Sequence, residues 1–421
     1  MSARPIIFHI DVNSAFLSWS AAYRCHVLGE EPDLRTVPSI VGGDQEARHG
    51  IVLAKSTPAK KYGIQTGEPI VAARKKCPNL IIIPPDFHLY VENSKALISL
   101  LKSYSDHVVQ YSIDEAWADF TGYEMLYGDP VEFAWKLKDQ IREELGFTVN
   151  IGVSSNRLLA KMAGDFKKPD LVHTLFPEEI EEKMWPLPVE RLFLVGKAAA
   201  DRLHSLGIYT IGDLAEMDHD YVNQLLGKNG LMLWSYANGL DDSPVMEKDF
   251  VSPMKSVGHG ITCTADLKTE EEVWKVILEL CQDIGHRLRI HGLKAQGIQI
   301  AIRSQELFTR QYQGQLSLPT IVPLEIAKLA RELFQRNYDW KEPVRSVTVR
   351  AINLVSAKEP EQICLFSDPI RLEKEEKLFL AIEEIRRRFG KRAIYPAALM
   401  KDLKMSEYRD HGLIMPGVMN R

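Results

Sequence analysis

Short apolar runs typical of β-strands come in adjacent pairs in the N-terminal part of the chain. Val37–Ala54 predicts a strand, a turn and a strand, and Val108–Ser112 is followed almost at once by the strand-like Glu115–Phe120. Runs with helical spacing, Leu89–Tyr104 and Val131–Leu145, stand between and after these pairs. Because a doubly wound sheet needs a helix after each strand, this order predicts an α+β sheet domain instead.

The pattern changes after residue 169. Residues 177–239 predict helices joined by short turns, and residues 241–253 form an acidic, proline-containing stretch typical of a linker. Residues 256–354 then predict the order strand, helix, two strands, helix, strand, and a charged helix follows at 371–389. The sequence therefore predicts an α+β protein of several domains.

Composition excludes several classes of protein. The chain has 421 residues, of which 45% are hydrophobic and 26% charged, as in ordinary globular proteins. No apolar run approaches the roughly 18 residues that span a bilayer, and the start lacks a secretory hydrophobic region, so we expect a cytoplasmic protein without a membrane partner. The five cysteines are scattered without a CxxC pair, which favours a reduced protein without structural zinc. The net charge of −5 means that any nucleic-acid surface has to be local.

Three carboxylates occupy unusual positions. Asp11 ends the first predicted strand, and Asp114 and Glu115 are adjacent inside an apolar hairpin. Like charges held close repel one another unless a cation neutralises them, and ligand sets made only of oxygen favour Mg²⁺. Two such ions can hold the attacking and leaving oxygens of a phosphoryl transfer. In the alternative interpretation, Asp11 caps a helix and Asp114 and Glu115 form a solvated turn; spacing alone leaves both open.

Lysines at predicted helix starts and ends are candidates for phosphate contacts, with a solvated lysine as the alternative for each. They are Lys60, Lys61 and Lys161; Lys167 and Lys168 follow Lys161 a few residues later in the chain. The chain contains no P-loop and no GxGxxG, HExxH or GxSxG motif. P-loop NTPases, Rossmann dehydrogenases, zincins and α/β-hydrolases therefore have no motif in their favour.

Four linked segments resemble the Y-family DNA polymerases, the polymerase IV/UmuC-like translesion enzymes of bacteria. They occur in family order and spacing at 8–16 (FHIDVNSAF), 52–69 (VLAKSTPAKKYGIQTGEP), 111–120 (YSIDEAWADF) and 150–169. The resemblance extends over nearly the whole chain and implies a right-hand polymerase. Its parts would be a palm (1–14 and 83–172), fingers (15–82), a thumb (173–243), a linker (244–253), a little finger (254–356) and a C-terminal tail (357–421).

The resemblance also assigns residues to the active site. The metal ligands of the family, which hold two Mg²⁺, fall on Asp11, Asp114 and Glu115, with the carbonyl of Val12 as a further ligand. The aromatic steric gate, which excludes a 2′-hydroxyl, falls on Phe16. The triphosphate contacts fall on Thr57, Lys60 and Lys161, of which the first two depart from the commoner Tyr and Arg. Asn13 stands where many members carry a second Asp, a position that is not a ligand.

DNA contacts are implied in two places. Residues 187–214 are similar to a helix-hairpin-helix, in which Leu194 replaces one of the two usual hairpin glycines, Gly196 is retained and Lys197 is a phosphate contact. In residues 286–312, five basic residues stand against one acidic residue. The implied DNA contacts are Lys197, Arg287, Arg289, Lys294, Arg303, Arg310, Arg345 and Arg350, with solvated charges as the alternative for each.

Residues 362–366 (QICLF) resemble the peptide that docks bacterial polymerases onto the sliding clamp. Gln362, Leu365 and Phe366 would be its contacts, with the two apolar side chains as anchors in a pocket. A small strand covering the little finger is the alternative interpretation of this segment.

The resemblance implies a low-fidelity, template-directed DNA polymerase of the translesion type. It would join a dNTP to a primer 3′-hydroxyl, and no exonuclease motif suggests proofreading. We expect primer-template DNA, dNTPs and the sliding clamp as partners of a monomer. Two alternatives remain. A nucleotidyl cyclase would share the palm but would not need the thumb or the basic domain. A catalytically inactive or partner-dependent accessory protein would bind only DNA or the clamp.

Overall fold

The computed structural model describes residues 4–44, 48, 50–247, 249–250, 252–360, 368–400, 403–405 and 416. Its backbone contacts divide the chain into two compact units. Unit 1 holds the described residues of 1–42 and 52–251 with residue 416, and unit 2 holds those of 43–51 and 252–414. Both units mix strands and helices, which confirms the predicted α+β multidomain class. The finer division into palm, fingers, thumb and little finger stays a prediction.

The strands and helices of unit 1 follow the predicted alternation. They are β1 (Ile7–Val12), α1 (Ala15–His26), β2 (Ser39–Gly42), β3 (Val52–Lys55), α2 (Thr57–Lys61), α3 (Ile70–Lys76), β4 (Ile81–Ile83), α4 (Phe87–Tyr104), β5 (Val108–Gln110), β6 (Glu115–Asp119), α5 (Glu124–Tyr127), α6 (Pro130–Leu145), β7 (Val149–Ser154), α7 (Arg157–Gly164), β8 (Val172–Thr174), α8 (Ile180–Lys183), α9 (Lys197–His204), α10 (Ile211–Ala215) and α11 (His219–Ala237).

The larger sheet of unit 1 has the strand order β5-β6-β1-β7-β8. β1 lies in the middle and pairs antiparallel with both β6 and β7, whereas β7 pairs parallel with β8. Every residue of β1 and β7 is buried, because these are interior strands and helices α6 and α7 pack against β7. The strands of a smaller sheet, in the order β3-β2-β4, lie between β1 and β5 in the chain.

Helix α7 lies unusually close to the sheet because glycines meet at the contact. A Cβ atom built on Gly152 of β7 would stand 1.9 Å from the carbonyl oxygen of Ala160 and 2.4 Å from the amide nitrogen of Gly164. A glycine inside a strand often marks such a close backbone approach. The Asn156 side chain caps the helix by accepting a hydrogen bond from the Leu159 amide at 2.8 Å. The start of α7 is thereby fixed against β7.

No strand occurs among the described residues of 177–239, as the sequence predicts. Helices α8 to α11 share an apolar core to which α7 also contributes, through Leu158 and Leu159 among others. The turn before α9 contains Leu194 at φ 69°, in the left-handed region. Leucine is strained there by roughly 1 kcal/mol, which gives a physical reason for a glycine in the usual hairpin.

Unit 2 contains the second sheet-and-helix arrangement in the predicted order. Its elements are β9 (Ser256–Leu267), α12 (Glu270–Ile290), β10 (Leu293–Ser304), β11 (Thr309–Thr320), α13 (Pro323–Asn337), β12 (Val344–Ser356) and α14 (Pro369–Phe389). The antiparallel sheet has the order β11-β10-β12-β9. Alternate residues of the strands and the apolar stripes of α12 and α13 form one core. The Thr269–Glu272 capping box fixes the start of α12.

Within unit 2, the described part of the tail packs against the sheet and helices that precede it. In α14, Phe379 enters the core and Glu383 is buried against His286 of α12 and Arg386 of its own helix. Further along, the amide of Thr264 in the edge strand β9 donates a 2.8 Å hydrogen bond to the carbonyl of Lys404. The tail therefore covers part of an edge that would otherwise be open to pairing.

Three short elements are absent from the sequence-based prediction, namely α3, α5 and β8. Each has between three and seven residues, too few for a periodic pattern to stand out. The clamp-like residues Gln362, Leu365 and Phe366 lie outside the described residues. No helix in the described part of the chain combines the length and apolar character needed to cross a membrane.

Candidate active site

Two of the three carboxylates face each other across neighbouring strands. Asp11 of β1 is in register with Glu115 of β6 on one side and with Asn150 of β7 on the other. Asp114 lies in the bend just before β6, and its carbonyl accepts a 3.0 Å hydrogen bond from the Val12 amide. The bend frees Asp114 from the alternation of strand side chains, so adjacent acids can serve one site.

Burial makes the ionised forms of two of these acids unfavourable. Burial raises the pKa of Asp114, and the charges of Asp11 and Glu115 raise it further, although a 2.6 Å hydrogen bond from Ser112 opposes the shift. Burial also raises the pKa of Asp11, with the charge of Glu115 adding to the effect and Lys168 opposing it. A cation placed among these groups would relieve the repulsion.

Glu115 behaves in the opposite way. Burial alone would raise its pKa, but the nearby His9 and the charge of Lys161 together lower the pKa to about 2. The Nζ atom of Lys161 lies 2.8 Å from Oε2 of Glu115, and Nε2 of His9 lies 3.6 Å from the same oxygen. Glu115 is therefore ionised throughout the physiological pH range.

Lysines hold two of the three carboxylates. Besides the Lys161–Glu115 pair, Lys168 Nζ lies 2.5 Å from Oδ2 of Asp11 and 2.8 Å from Oδ1 of Asp165. Burial lowers the pKa of Lys168, but Asp11 and Asp165 more than reverse this and raise it. Within the described residues, no three His, Cys, Asp or Glu side chains are arranged so that they could hold a metal ion. The donor set itself is all carboxylate, which suits Mg²⁺.

Lys168 is a site residue to which the sequence assigns no role of its own. Sequence analysis names it only as a lysine that follows Lys161 in the chain. The loop that carries it returns from α7 to β8, whose first residues pair with β7 beside Asn150. Asn150 also donates a 2.7 Å hydrogen bond to the carbonyl of Lys167, which holds this loop over the end of β1. Because β8 is too short to predict from the sequence, the return of this loop past Asp11 was missed.

Asn13 connects the same elements. Its side-chain amide donates to Oδ1 of Asn150 at 3.1 Å, and its own Oδ1 accepts from the amide of Asp170 at 2.9 Å. It is buried. A buried amide with these partners serves to fix the loop, and the expectation that this position is not a metal ligand stays a prediction.

Phe16, the predicted steric gate, lies in the first turn of α1, just after the carboxyl-terminal end of β1. It is half-buried and stacks on Tyr90 of α4, with 4.5 Å between ring centroids and 9° between ring planes. The rings of Phe87 and Phe16 are perpendicular, with 6.1 Å between their centroids. These contacts hold the ring in one orientation. Phe16 follows Asp11 by five residues, and part of its side chain stays accessible to solvent.

Thr57 and Lys60, predicted to contact the triphosphate, are exposed on the short helix α2. The Ser56 hydroxyl caps this helix by accepting from the Ala59 amide at 3.1 Å. The structure thus presents both side chains to solvent, and their assignment to the nucleotide stays a prediction.

Sequence profiles of one family match most of the chain. The profile of the impB/mucB/samB family matches residues 10–165, that of its C-terminal domain matches 254–365, and the HHH motif of the IMS family matches 177–208. The chain belongs to this family of Y-family DNA polymerases. The sequence-based predictions of family and of enzyme class, a DNA-directed DNA polymerase, are confirmed.

Two similar proteins match this chain over nearly their full length, and both are named DNA polymerase IV. DNA polymerase IV of Clostridium acetobutylicum is 41% identical over 397 residues, which cover 94% of this chain and 98% of that protein. DNA polymerase IV of Acetivibrio thermocellus is 39% identical over 399 residues, 95% of this chain and 98% of that protein. A solved Y-family polymerase chimera, 23% identical, matches the fold with a TM-score of 0.72 and covers 83% of this chain and 99% of its own.

The predicted thumb contact of this polymerase is accessible. Lys197 is the first residue of α9, directly after Gly196, and its side chain is exposed. The neighbouring Leu194 is exposed as well. These positions are compatible with a backbone-phosphate contact, which stays a prediction for Lys197.

The predicted DNA contacts of unit 2 fall into two groups. Three form ion pairs within the unit: Arg287 with Asp283 at 3.0 Å, Arg289 with Glu383 at 3.6 Å and Lys294 with Glu376 at 3.0 Å. Arg303, Arg310 and Arg350 are exposed, and Arg345 is partly exposed. Arg303, opposite Ser346, and Arg350, opposite Gln299, alternate with the core positions of their strands, so both lie on the face of the sheet that points away from the core. All seven remain predicted contacts, of which these two are the best placed on the uncovered face of the sheet.

Proposed function

We propose that this Y-family polymerase joins deoxynucleotides to a primer at the sheet edge formed by Asp11, Asp114 and Glu115. The register between Asp11 and Glu115, with Asp114 in the adjoining bend, is the observation that carries this proposal. Hydrogen-bonded neighbouring strands fix the spacing of the acids, as positioning of phosphoryl-transfer groups requires.

The three carboxylates and the Val12 carbonyl would hold two Mg²⁺. Their chemistry fits, since all are oxygen donors, and burial raises the pKa values of Asp11 and Asp114 with the charges of neighbouring carboxylates adding to the effect. When bound, Mg²⁺ lowers the pKa of an attacking hydroxyl and offsets charge on the phosphates. The residues themselves orient the reacting groups in a rigid sheet, which supplies much of the rate.

The nucleotide would lie between this edge and the fingers elements. Thr57 and Lys60 are proposed phosphate contacts, and Lys168, which is one-third exposed beside Asp11, is placed to join them. Phe16 would press against C2′ of the sugar. Lys161 lies at the same site, but its own contact is with Glu115.

We further propose primer-template DNA and dNTPs as substrates, and the sliding clamp as a partner through residues 362–366. The names of the similar proteins support the first, and the peptide pattern supports the second. A monomer in the cytoplasm is proposed on the sequence pattern, and the DNA contacts are assigned to Lys197 and to the basic residues of unit 2.

Primer extension tests the proposal directly. The purified protein, given a primed template, dNTPs and Mg²⁺, is expected to extend the primer on undamaged DNA and opposite an abasic site, and to stop when EDTA removes the metal. Failure of both extensions at saturating DNA, with and without the sliding clamp, would contradict the proposal. DNA binding without extension would favour the accessory-protein alternative instead.

The Phe16→Ala substitution is expected to raise ribonucleotide incorporation by at least about 100-fold relative to deoxynucleotide incorporation. The ring is held in place by its stack on Tyr90 and would stand against the 2′-oxygen of a ribonucleotide at the proposed site, and alanine would remove that obstacle. Single-nucleotide insertion kinetics with dCTP and CTP measure the ratio of kcat/KM values. Phe16→Tyr keeps the ring and is the matched control. An unchanged ratio in Phe16→Ala would place the gate at another residue.

A further inference from the structure

Basic side chains are concentrated on helices α2 and α3 and on the residues that flank them. Residues 55–76 contain six basic residues and one acidic residue, although the chain as a whole has a net charge of −5. The basic residues are Lys55, Lys60, Lys61, Arg74, Lys75 and Lys76. The acidic residue is Glu68. This segment therefore has a strong local excess of positive charge.

Internal contacts bring the carboxyl-terminal ends of the two helices together. Nζ of Lys76, the last residue of α3, donates a 2.8 Å hydrogen bond to the carbonyl of Gly63, two residues after α2 ends. Nζ of Lys55 in β3 donates to the next carbonyl, that of Ile64, at 2.7 Å. Burial lowers the pKa of Lys55, and the charges of Lys60 and Lys76 lower it further. Cations from β3, α2 and α3 thus lie near one another.

Four side chains at the ends of these helices are exposed and form what we call the α2–α3 patch. They are Lys61, Tyr62, Arg74 and Lys75. The acid of the segment, Glu68, is already paired with Lys76 at 2.5 Å. Within residues 55–76, all of which the structure describes, the three cations of the patch therefore have no acidic partner. Tyr62 adds an aromatic ring that is 51% exposed.

We propose that the α2–α3 patch binds the unpaired template strand ahead of the primer end. This inference rests on the proposed function and adds a DNA contact to those assigned to Lys197 and unit 2. A single strand offers a phosphate charge at each nucleotide together with accessible base faces. Cationic side chains bind such phosphates without reading the sequence, and an exposed aromatic ring can stack on a base.

The position of the patch favours the template strand as its occupant. Helix α2 also carries Thr57 and Lys60, the proposed phosphate contacts of the incoming nucleotide. The template has to deliver its next unpaired base to that nucleotide, so the strand ahead of the primer end passes close to α2. Lys61 and Tyr62 directly follow Lys60 and extend the same surface.

Helix dipoles alone do not account for the cluster. Cations stabilise the carboxyl-terminal end of a helix by interacting with its last carbonyl groups. Lys76 and Lys55 already donate to the carbonyls that follow α2. Further exposed cations at the same place repel one another, and a bound polyanion would offset this repulsion.

Equilibrium binding to DNA molecules that differ only in their overhang tests the proposal. Fluorescence anisotropy, without Mg²⁺ or dNTP, compares one primer-template duplex carrying a template overhang of one or of ten nucleotides. The unsubstituted protein is expected to bind the longer overhang at least about fivefold more tightly. The triple variant Lys61→Ala/Arg74→Ala/Lys75→Ala should lose this preference. For the longer overhang, its slope of log affinity against log salt concentration should become shallower by roughly 2, because each single-strand phosphate contact contributes about 0.7.

Two further variants separate the patch from a general effect of charge. Lys95→Ala/Lys102→Ala/Lys136→Ala removes the same charge from α4 and α6 and should retain the preference for the longer overhang. Tyr62→Ala should weaken binding of the longer overhang by at least about threefold and leave binding of the shorter one unchanged, because only the longer strand can stack on the ring.

Equal affinity of the unsubstituted protein for the two overhangs would overturn the proposal. So would a preference that survives the triple substitution, or an equal loss of affinity for both DNA molecules. A ten-residue polyglutamate that binds the unsubstituted protein but not the triple variant, without any overhang preference, would indicate an acidic protein partner instead. Thermal unfolding checks that each variant is folded. The assay needs no catalysis, so a failure of primer extension, which contradicts the proposed function, is a separate result.

Discussion

Asp114→Ala is expected to lower the maximal rate of primer extension by at least about 1,000-fold, which corresponds to about 4 kcal/mol in the activation free energy. Asp114 stands in the bend where its carboxylate is freed from the strand alternation and joins Asp11 and Glu115. Its loss would remove a ligand from the proposed metal site. Rapid-quench incorporation at saturating dNTP and DNA measures the rate.

The stability of the same variant separates a catalytic from a structural effect. Because burial and two neighbouring carboxylates raise the folded-state pKa of Asp114, its ionised form destabilises the fold above that pKa. Alanine should therefore leave the melting temperature at pH 7 unchanged or slightly higher, despite the lost Ser112 hydrogen bond. DNA affinity should also persist. Glu143→Ala, an exposed acid on α6, is the control and should extend normally. Near-normal extension by Asp114→Ala would refute the metal assignment.

The features that the sequence predicts best are those set by long periodic elements. Asp11 lies one residue before the end of a buried strand and Glu115 begins another, so their meeting follows once the two strands pair. The bend at Asp114 is less obvious, because adjacent residues of a regular strand would point to opposite faces. A turn or bulge therefore has to intervene if both acids are to serve one site, and the structure locates this bend directly before β6.

The partners of these acids could not be predicted in the same way. Which lysine meets which carboxylate depends on the loop from α7 to β8 and on the close packing of α7, and neither has a periodic signature. Similarly, a count of basic residues does not distinguish Arg287, paired with Asp283, from Arg350, which is exposed. Local charge predicts a basic region, whereas cross-strand register and burial determine which of its side chains remain available.

Gly152→Ala is expected to destabilise unit 1 by about 3 kcal/mol or more. The added methyl would meet the Ala160 carbonyl at 1.9 Å and the Gly164 amide at 2.4 Å. Both are backbone atoms of one helix, so no rotamer change can relieve the clash and α7 has to move away from β7. Denaturant unfolding followed by circular dichroism measures the loss.

The same displacement has a functional consequence that a general loss of stability would not produce. Helix α7 carries Lys161, so its retreat from β7 should lengthen the 2.8 Å contact with Glu115 and lower the extension rate even at temperatures where the variant is folded. Gly196→Ala is the stability control: its φ is −84° and a Cβ there meets nothing within 4 Å, so its unfolding free energy should change by less than about 0.5 kcal/mol. Equal stabilities for the two variants would mean that α7 and β7 are not in the close contact that places Lys161 on Glu115.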